Sequence, residues 1–330
     1  MNPHLVRAAV FSALLGSVVQ AQAPGPITPD SLVTAAKRAA GQDHAGTFLR
    51  ICVAPDNLGA RGRGAGAGAG TVPDRASWYA RPYKAFDNLY FIGTKIHSAW
   101  ALTTSEGIIV IDTVFDYAVQ PEMVEGLTAL GLDPRQVRYV LVSHAHGDHD
   151  QGAALFQSRY GAKVVMGAAD WESTLQRPAT AAGGVPKRDV SVGPEGLKLT
   201  LGDTTVDVIA TPGHTPGTLS YLLPVKDRGR AVTVAYSGGT AFNFPRQAST
   251  FEVYRDSQRK LAEAARGAGA TVLMSNHTEF DRAHDRVRLA QLPRAAGEKH
   301  PFETDAATVQ RYFEMTANCA EAQRLMLQAP

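Results

Sequence analysis

A sheet-rich α/β fold is what this 330-residue sequence predicts, on three observations. Short runs rich in Ile, Val, Tyr, Trp and Phe, bounded by turn residues, recur in two groups, one in each half of the chain. Stretches with helical spacing stand between and after them, the alternation expected of layered α/β proteins. Histidine-bearing loops follow three of the strand-like runs, and loops at the carboxyl ends of strands are where such folds collect their ligands.

Taken in order, 31–49 has helical spacing, with Leu32, Ala35, Ala36, Ala39 and Ala40 on overlapping faces. The Gly-Ala-rich stretch 58–70 holds too few large apolar groups to fold alone and reads as a flexible linker. A meander of strands is expected over 88–93, 97–103 and 107–112, separated by turn signals at Gly93-Thr94 and Ser105-Glu106-Gly107. Helix is expected at 119–130, strand at 137–142, helix at 151–160, strand at 163–166 and helix at 168–176. A second meander spans 197–201, 205–211, 218–223 and 231–236. Helix returns at 251–267, strand at 271–274, and helices at 283–292 and 304–327.

Between the apolar run Tyr139-Val140-Leu141-Val142 and the helix at 151–160 lies Ser143-His144-Ala145-His146-Gly147-Asp148-His149-Asp150. His144 and His146, two apart on extended chain, project to the same side and can grip one ion. Asp148 and His149 fall where the chain curls into the helix and can reach a second. Gly147 supplies the freedom that the curl needs. A merely solvated turn is the weaker reading, because imidazoles and a carboxylate this close repel or desolvate one another unless a cation holds them.

The run resembles the His-x-His-x-Asp-His signature of the metallo-β-lactamase superfamily. Thr211-Pro212-Gly213-His214-Thr215-Pro216-Gly217 and Ser275-Asn276-His277 follow in the order and rough spacing that superfamily shows, so that the resemblance covers about 78–281. It implies a four-layer αββα sandwich with mixed, largely antiparallel sheets, and two metal ions. His144, His146 and His214 would hold the first ion, and Asp148, His149 and His277 the second. Imidazole and carboxylate without thiolate suit zinc, with manganese or iron left open by the ligands alone.

The superfamily divides at the turn after the last inner strand, here Ala235-Tyr236-Ser237-Gly238-Gly239-Thr240-Ala241-Phe242. Relatives of glyoxalase II and lactonases usually carry a bridging aspartate there, and the first two β-lactamase subclasses a cysteine. This chain has glycines, and its ligand set resembles the third subclass of class B β-lactamases, with five histidines and one aspartate. That resemblance implies a zinc hydrolase opening the β-lactam ring with an activated water, which Asp148 orients while also serving as a ligand. A related hydrolase of lactones or other esters is the alternative, and a metal-binding protein without hydrolytic activity a third reading. One departure bears on the substrate. Members of that subclass often present two serines in this turn to receive the substrate carboxylate, and the matching positions are Gly239 and Ala241. Ser237, Thr240 and Asn243 are the nearby hydrogen-bonding candidates, Lys187 and Arg188 the cationic ones, and His97 stands in a loop expected to overhang the site.

Composition narrows the class further. With 33 Lys plus Arg against 31 Asp plus Glu the net charge is +2, which argues for a small-molecule substrate and against nucleic acid. Neither a Gly-x-Ser-x-Gly motif nor a cysteine near the histidines supplies a nucleophile. Arg7, an apolar run over 8–19 and Ala21 are the pattern of a signal peptide cleaved near Gln22, and the run is short of the roughly 20 residues that span a bilayer. A periplasmic or secreted enzyme without a membrane span after cleavage is therefore expected. Its parts are a signal peptide over 1–21, a helical segment with the linker over 22–77, and a hydrolase domain with a C-terminal helical extension over 78–330. Cys52 and Cys319 are the only cysteines, and in an oxidising compartment they are expected to pair, with two unpaired buried thiols as the alternative.

Overall fold

The computed structural model describes residues 27–53 and 72–329; the expected signal peptide and the stretch 58–70 lie outside the described residues. The β-branched and aromatic runs pair into two sheets. The first has the order β1-β2-β3-β4-β5-β6-β7, formed by Tyr83–Lys84, Leu89–Phe91, Trp100–Thr104, Gly107–Ile111, Val137–Leu141, Lys163–Gly167 and Val190–Val192. Short turns join β1 to β4, which pair antiparallel, whereas helical crossovers join β4 to β7, which pair parallel. The second sheet has the order β12-β11-β10-β9-β8, formed by Val272–Ser275, Arg230–Ser237, Leu219–Asp227, Thr204–Ala210 and Leu197–Leu201. Its one parallel pair is β11 with β12, across the helix Ala248–Gly267. The first sheet is thus evenly mixed, and the second is the largely antiparallel one.

Alternation sends each strand's side chains to two faces, and both faces are covered. Phe91, Trp100, Leu102 and Ile109 of the first sheet meet Val206, Val208, Tyr221, Leu223 and Tyr236 of the second in the central core. Ala101, Val110, Val140 and Val164 turn the other way, onto Val119, Met123, Leu127, Phe156 and Trp171. Leu222, Ala235 and Leu273 pack outward from the second sheet onto Leu261, Val309 and Phe313. Four layers in the order αββα result, each large apolar side chain contributing roughly 1.5 to 3 kcal/mol by leaving water. The helices Pro29–Ala40 and Ala45–Ile51 lie in the last of these layers, burying Ala36, Ala39, Phe48 and Ile51. There Cys52 and Cys319 form a disulfide with their Cα atoms 5.0 Å apart. Among the described residues no helix is long and apolar enough to cross a membrane.

Five local features depart from the sequence reading. The helix Arg75–Trp78 and strands β1 and β7 are too short to leave a periodic signal. The expected helix over 31–49 is two helices, because Gly41 at φ +52° ends the first. The expected helix over 119–130 begins instead at Asp116 and opens into a π turn over Val119–Val124. Pro121 lies in that turn; it has no N–H to give the preceding turn and its ring crowds it, and the wider turn accommodates both.

Candidate metal centre

Strands β5, β9 and β12 end at Leu141, Ala210 and Ser275, and the loops that follow them bring His144 to His149, His214 and His277 together. In a first set, His214 Nε2 lies 3.1 Å from His144 Nε2 and 3.2 Å from His146 Nδ1. In a second, His149 Nε2 lies 3.2 Å from His277 Nε2 and 3.3 Å from Asp148 Oδ2, which is 3.4 Å from His277 Nε2. Donors at zinc bond lengths of about 2.0 to 2.1 Å on a tetrahedron are about 3.3 to 3.4 Å apart. The separations therefore fit one ion in each set. Facing imidazole nitrogens satisfy one another with at most one proton per pair, whereas a shared cation satisfies them all.

Bonds on the far side of each ring aim it. His144 Nδ1 donates to Gly238 O at 2.9 Å, and His214 Nδ1 to Ala241 O at 2.9 Å. His149 Nδ1 stands 3.3 Å from Asp112 Oδ2. In the first two the Nε2 lone pair is left facing inward. Asp112, fully buried at the end of β4, also accepts from Ser143 N at 2.6 Å, Ser143 Oγ at 2.9 Å and Tyr236 OH at 3.0 Å. Asp170 ties two ligand loops together, accepting from Ala145 N at 2.8 Å, Thr215 Oγ1 at 2.7 Å and Gly217 N at 2.9 Å. Arg177 pairs with Asp150 at 2.6 Å and donates to Ala145 O at 2.6 Å. Sequence reasoning gives no role to Asp112, Asp170 or Arg177. The one available signal is a charged residue closing the apolar run Ile108-Ile109-Val110-Ile111.

Burial pushes His144 well below the usual imidazole range and His214 down to about 3, with neighbouring imidazoles adding to the effect. Neutral rings are the form that binds metal. Burial also opposes charge on His149, but Asp148 and Asp112 outweigh it and raise that ring to about 10. Burial alone would lift Asp148, yet His149, His277 and His97 hold its carboxyl well below the usual range. These carboxylates call for positive charge at the second set, which a cation supplies in place of a proton.

The expected substrate-binding residues are not all at this site. Thr240 is buried and bonds Tyr312 OH at 2.8 Å and Ser275 Oγ at 3.1 Å, and buried Ser237 Oγ lies 3.3 Å from Thr240 Oγ1. Their hydroxyls are engaged inside the protein, because the helix Ala306–Met326 brings Tyr312 against the turn. Asn243 is exposed, as is Lys187, and Arg188 pairs with Glu172 at 2.8 Å. Gly239 has no room for a serine: a Cβ there would stand 2.5 Å from His214 Cβ, and one at Gly238 would stand 1.7 Å from Leu219 O. His97, by contrast, reaches the second set, with Nε2 3.5 Å from Asp148 Oδ2.

Known proteins share this arrangement of layers. The metallo-beta-lactamase superfamily profile matches residues 92–263, over half of the chain. A hydroxyacylglutathione hydrolase of Mesorhizobium japonicum is 32% identical over 158 residues, covering 47% of this chain and 53% of that protein. The N-acyl homoserine lactonase AttM of Agrobacterium fabrum is 32% identical over 112 residues, covering 30% of this chain and 41% of that protein. The chain thus spans about half or less of the length of these two relatives. Its fold is similar to that of BJP-1, a subclass B3 metallo-beta-lactamase of Bradyrhizobium japonicum, with 25% identity, a TM-score of 0.57 and coverage of 70% of this chain and 89% of that one. The metallo-beta-lactamase FEZ-1 from Legionella gormanii shares the fold at 21% identity and a TM-score of 0.64, covering 76% of this chain and 98% of that one. By profile, by sandwich and by the histidine loops at its rim, the chain belongs to the metallo-beta-lactamase superfamily.

Proposed function

We propose that the protein is a di-zinc hydrolase that opens the β-lactam ring, with His144, His146 and His214 at one ion and Asp148, His149 and His277 at the other. The observation that carries the reading is the turn at Gly238-Gly239, which packs so closely on Leu219 and His214 that no side chain from it can enter between the two sets. That leaves imidazoles and the one carboxylate of Asp148 as the donors, and the likeness to a subclass B3 enzyme supports the same substrate. Zinc bound there supplies Lewis acidity at the scissile carbonyl and lowers the pKa of the attacking water. Asp148, the one carboxylate among the donors, accepts a hydrogen bond from that water and fixes its orientation. Phe115 packs edge-on against His97 at 5.1 Å and Phe244 against His214 at 6.5 Å. The Cys52–Cys319 disulfide supports export to an oxidising compartment, the periplasm or the medium.

A second reading, hydrolysis of a lactone or other ester, rests on an observation of its own. Ser237 is engaged with Thr240, Thr240 with Ser275 and Tyr312, and Gly239 carries no side chain, so the turn offers no free hydroxyl to a substrate carboxylate. The hydroxyacylglutathione hydrolase and lactonase relatives support that reading too. The test is turnover of a chromogenic cephalosporin, a penicillin, a carbapenem and a lactone panel by zinc-loaded protein, with zinc measured on the same samples. β-Lactam turnover at about two zinc per chain is the expected result. Efficient lactone opening with none of the three drugs hydrolysed would replace the first reading by the second, and protein that takes up no zinc would end both.

A further inference from the structure

The second donor set holds one side chain more than the centre described above requires. His97 lies in the loop between β2 and β3 of the first sheet, yet that loop is stitched to the loop carrying His277. His97 and His277 form an isolated antiparallel bridge, Ser98 N donates to Asn276 O at 2.9 Å, Thr278 N to Ile96 O at 2.9 Å, and Thr278 Oγ1 to Lys95 O at 2.6 Å. Gly93 lets the loop fold this tightly, since a Cβ there would stand 2.4 Å from His97 O. The ring is held as firmly as the backbone: Phe115 packs edge-on at 5.1 Å, and Nδ1 stands 3.3 Å from Thr94 Oγ1. When Nδ1–H donates to Thr94 Oγ1, the Nε2 lone pair is free to face Asp148. Nε2 lies 3.5 Å from Asp148 Oδ2, close to the edge of a zinc tetrahedron, about 3.3 to 3.4 Å. One donor atom each from His97, Asp148 and His277 falls within 4.8 Å of the others.

We propose that His97 is a fourth protein ligand of the second ion, beside Asp148, His149 and His277. The inference rests on the two-ion reading above and adds to it a ligand drawn from the β2–β3 loop. His97 then takes a coordination position that water would otherwise hold, and the second ion is enclosed by four side chains.

The test counts imidazoles rather than turnover. In cobalt-loaded protein each ligating histidine gives one hyperfine-shifted, exchangeable ring N–H proton resonance. The expected spectrum has one such resonance for each of His144, His146, His149, His214 and His277 and a sixth for His97; His97→Ala loses the sixth. Stepwise zinc titration against a chromophoric chelator should show the second ion at least 100-fold weaker in His97→Ala and the first ion unchanged. Far-ultraviolet circular dichroism and the thermal midpoint of both metal-free proteins check that the variant folds. Both sites filled with five resonances in the wild type overturns the assignment, and so does a second-site affinity in His97→Ala equal to that of the wild type. In either case the two-ion centre stands, whereas failure of the wild type to take up cobalt or zinc overturns that centre and the His97 ligand together.

Discussion

At Asp148 charge matters more than shape. Asp148→Asn keeps the side-chain volume but removes the anionic oxygen that faces His149, His277 and His97. Turnover should fall by more than about 100-fold and the second ion should bind more weakly, with the circular dichroism of the metal-free protein unchanged. Full activity in Asp148→Asn would remove that residue from the mechanism. Gly239 makes the complementary point about space. Serine there collides with Cβ and Cγ of His214, at 2.5 and 2.9 Å. Gly239→Ser should therefore empty the first site, lowering zinc from about two to about one per chain by elemental analysis, rather than tightening the binding of a substrate carboxylate. A variant that keeps both ions and lowers KM for penicillins would show that the turn can move.

Among the elements, the π turn over Val119–Val124 holds a group whose protonation tracks stability. Glu122 is buried there, its Oε1 accepting from Ala80 N at 2.8 Å while Oε2 has no partner. Burial pushes its carboxyl up to about 8, against the opposing pull of the Ala80 N–H and Arg75. The folded protein thus holds this proton more tightly than the unfolded chain, whose value is about 4.5. The resulting stabilisation is complete below pH 4.5 and is lost as the pH rises through 8. Glu122→Gln has no such titration, so its stability relative to the wild type should rise between those limits, by on the order of a few kcal/mol in total. Urea unfolding of both proteins at pH 5 and pH 9 measures it; a pH-independent difference would mean that Glu122 ionises normally in the fold.

On the scale of the whole molecule, the site exists only because the two sheets are docked. His144 to His149 belong to the first sheet's loops, and His214 and His277 to the second's. The disulfide acts elsewhere, closing a sequence separation of 267 residues between the N-terminal helices and the helix Ala306–Met326. Chain-entropy arguments give a loop of that length about 5 kcal/mol of stabilisation. Replacing both Cys52 and Cys319 by serine should lower the free energy of unfolding by up to that amount in urea titrations, and zinc binding under native conditions should persist. Loss of zinc along with the disulfide would show that the outer helical layer shapes the site.

The sequence alone indicated the α/β layering and most strand positions, because periodicity is a local property of the chain, and its resemblance to the superfamily pointed to His144, His146, Asp148, His149, His214 and His277 as candidate donors, which the loops bring together. The helix expected over 168–176 and the strands expected over 197–201 and 205–211 were legible for that reason, forming at Ala168–Leu175, Leu197–Leu201 and Thr204–Ala210. What only the tertiary structure decided depends on contacts across long stretches of chain. Asp112 reaches His149 across 37 positions, and Tyr312 engages Thr240 from a helix 72 positions away. No spacing rule announces that Gly239 abuts His214, or that a loop of the first sheet pairs with the His277 loop of the second. Ser237 and Thr240 looked available beside the site in the sequence and are engaged within the core, while His97, far away in sequence, is at the metal donors. Which face a loop side chain takes is settled by what packs against it, and that partner is chosen only when the two sheets close on each other.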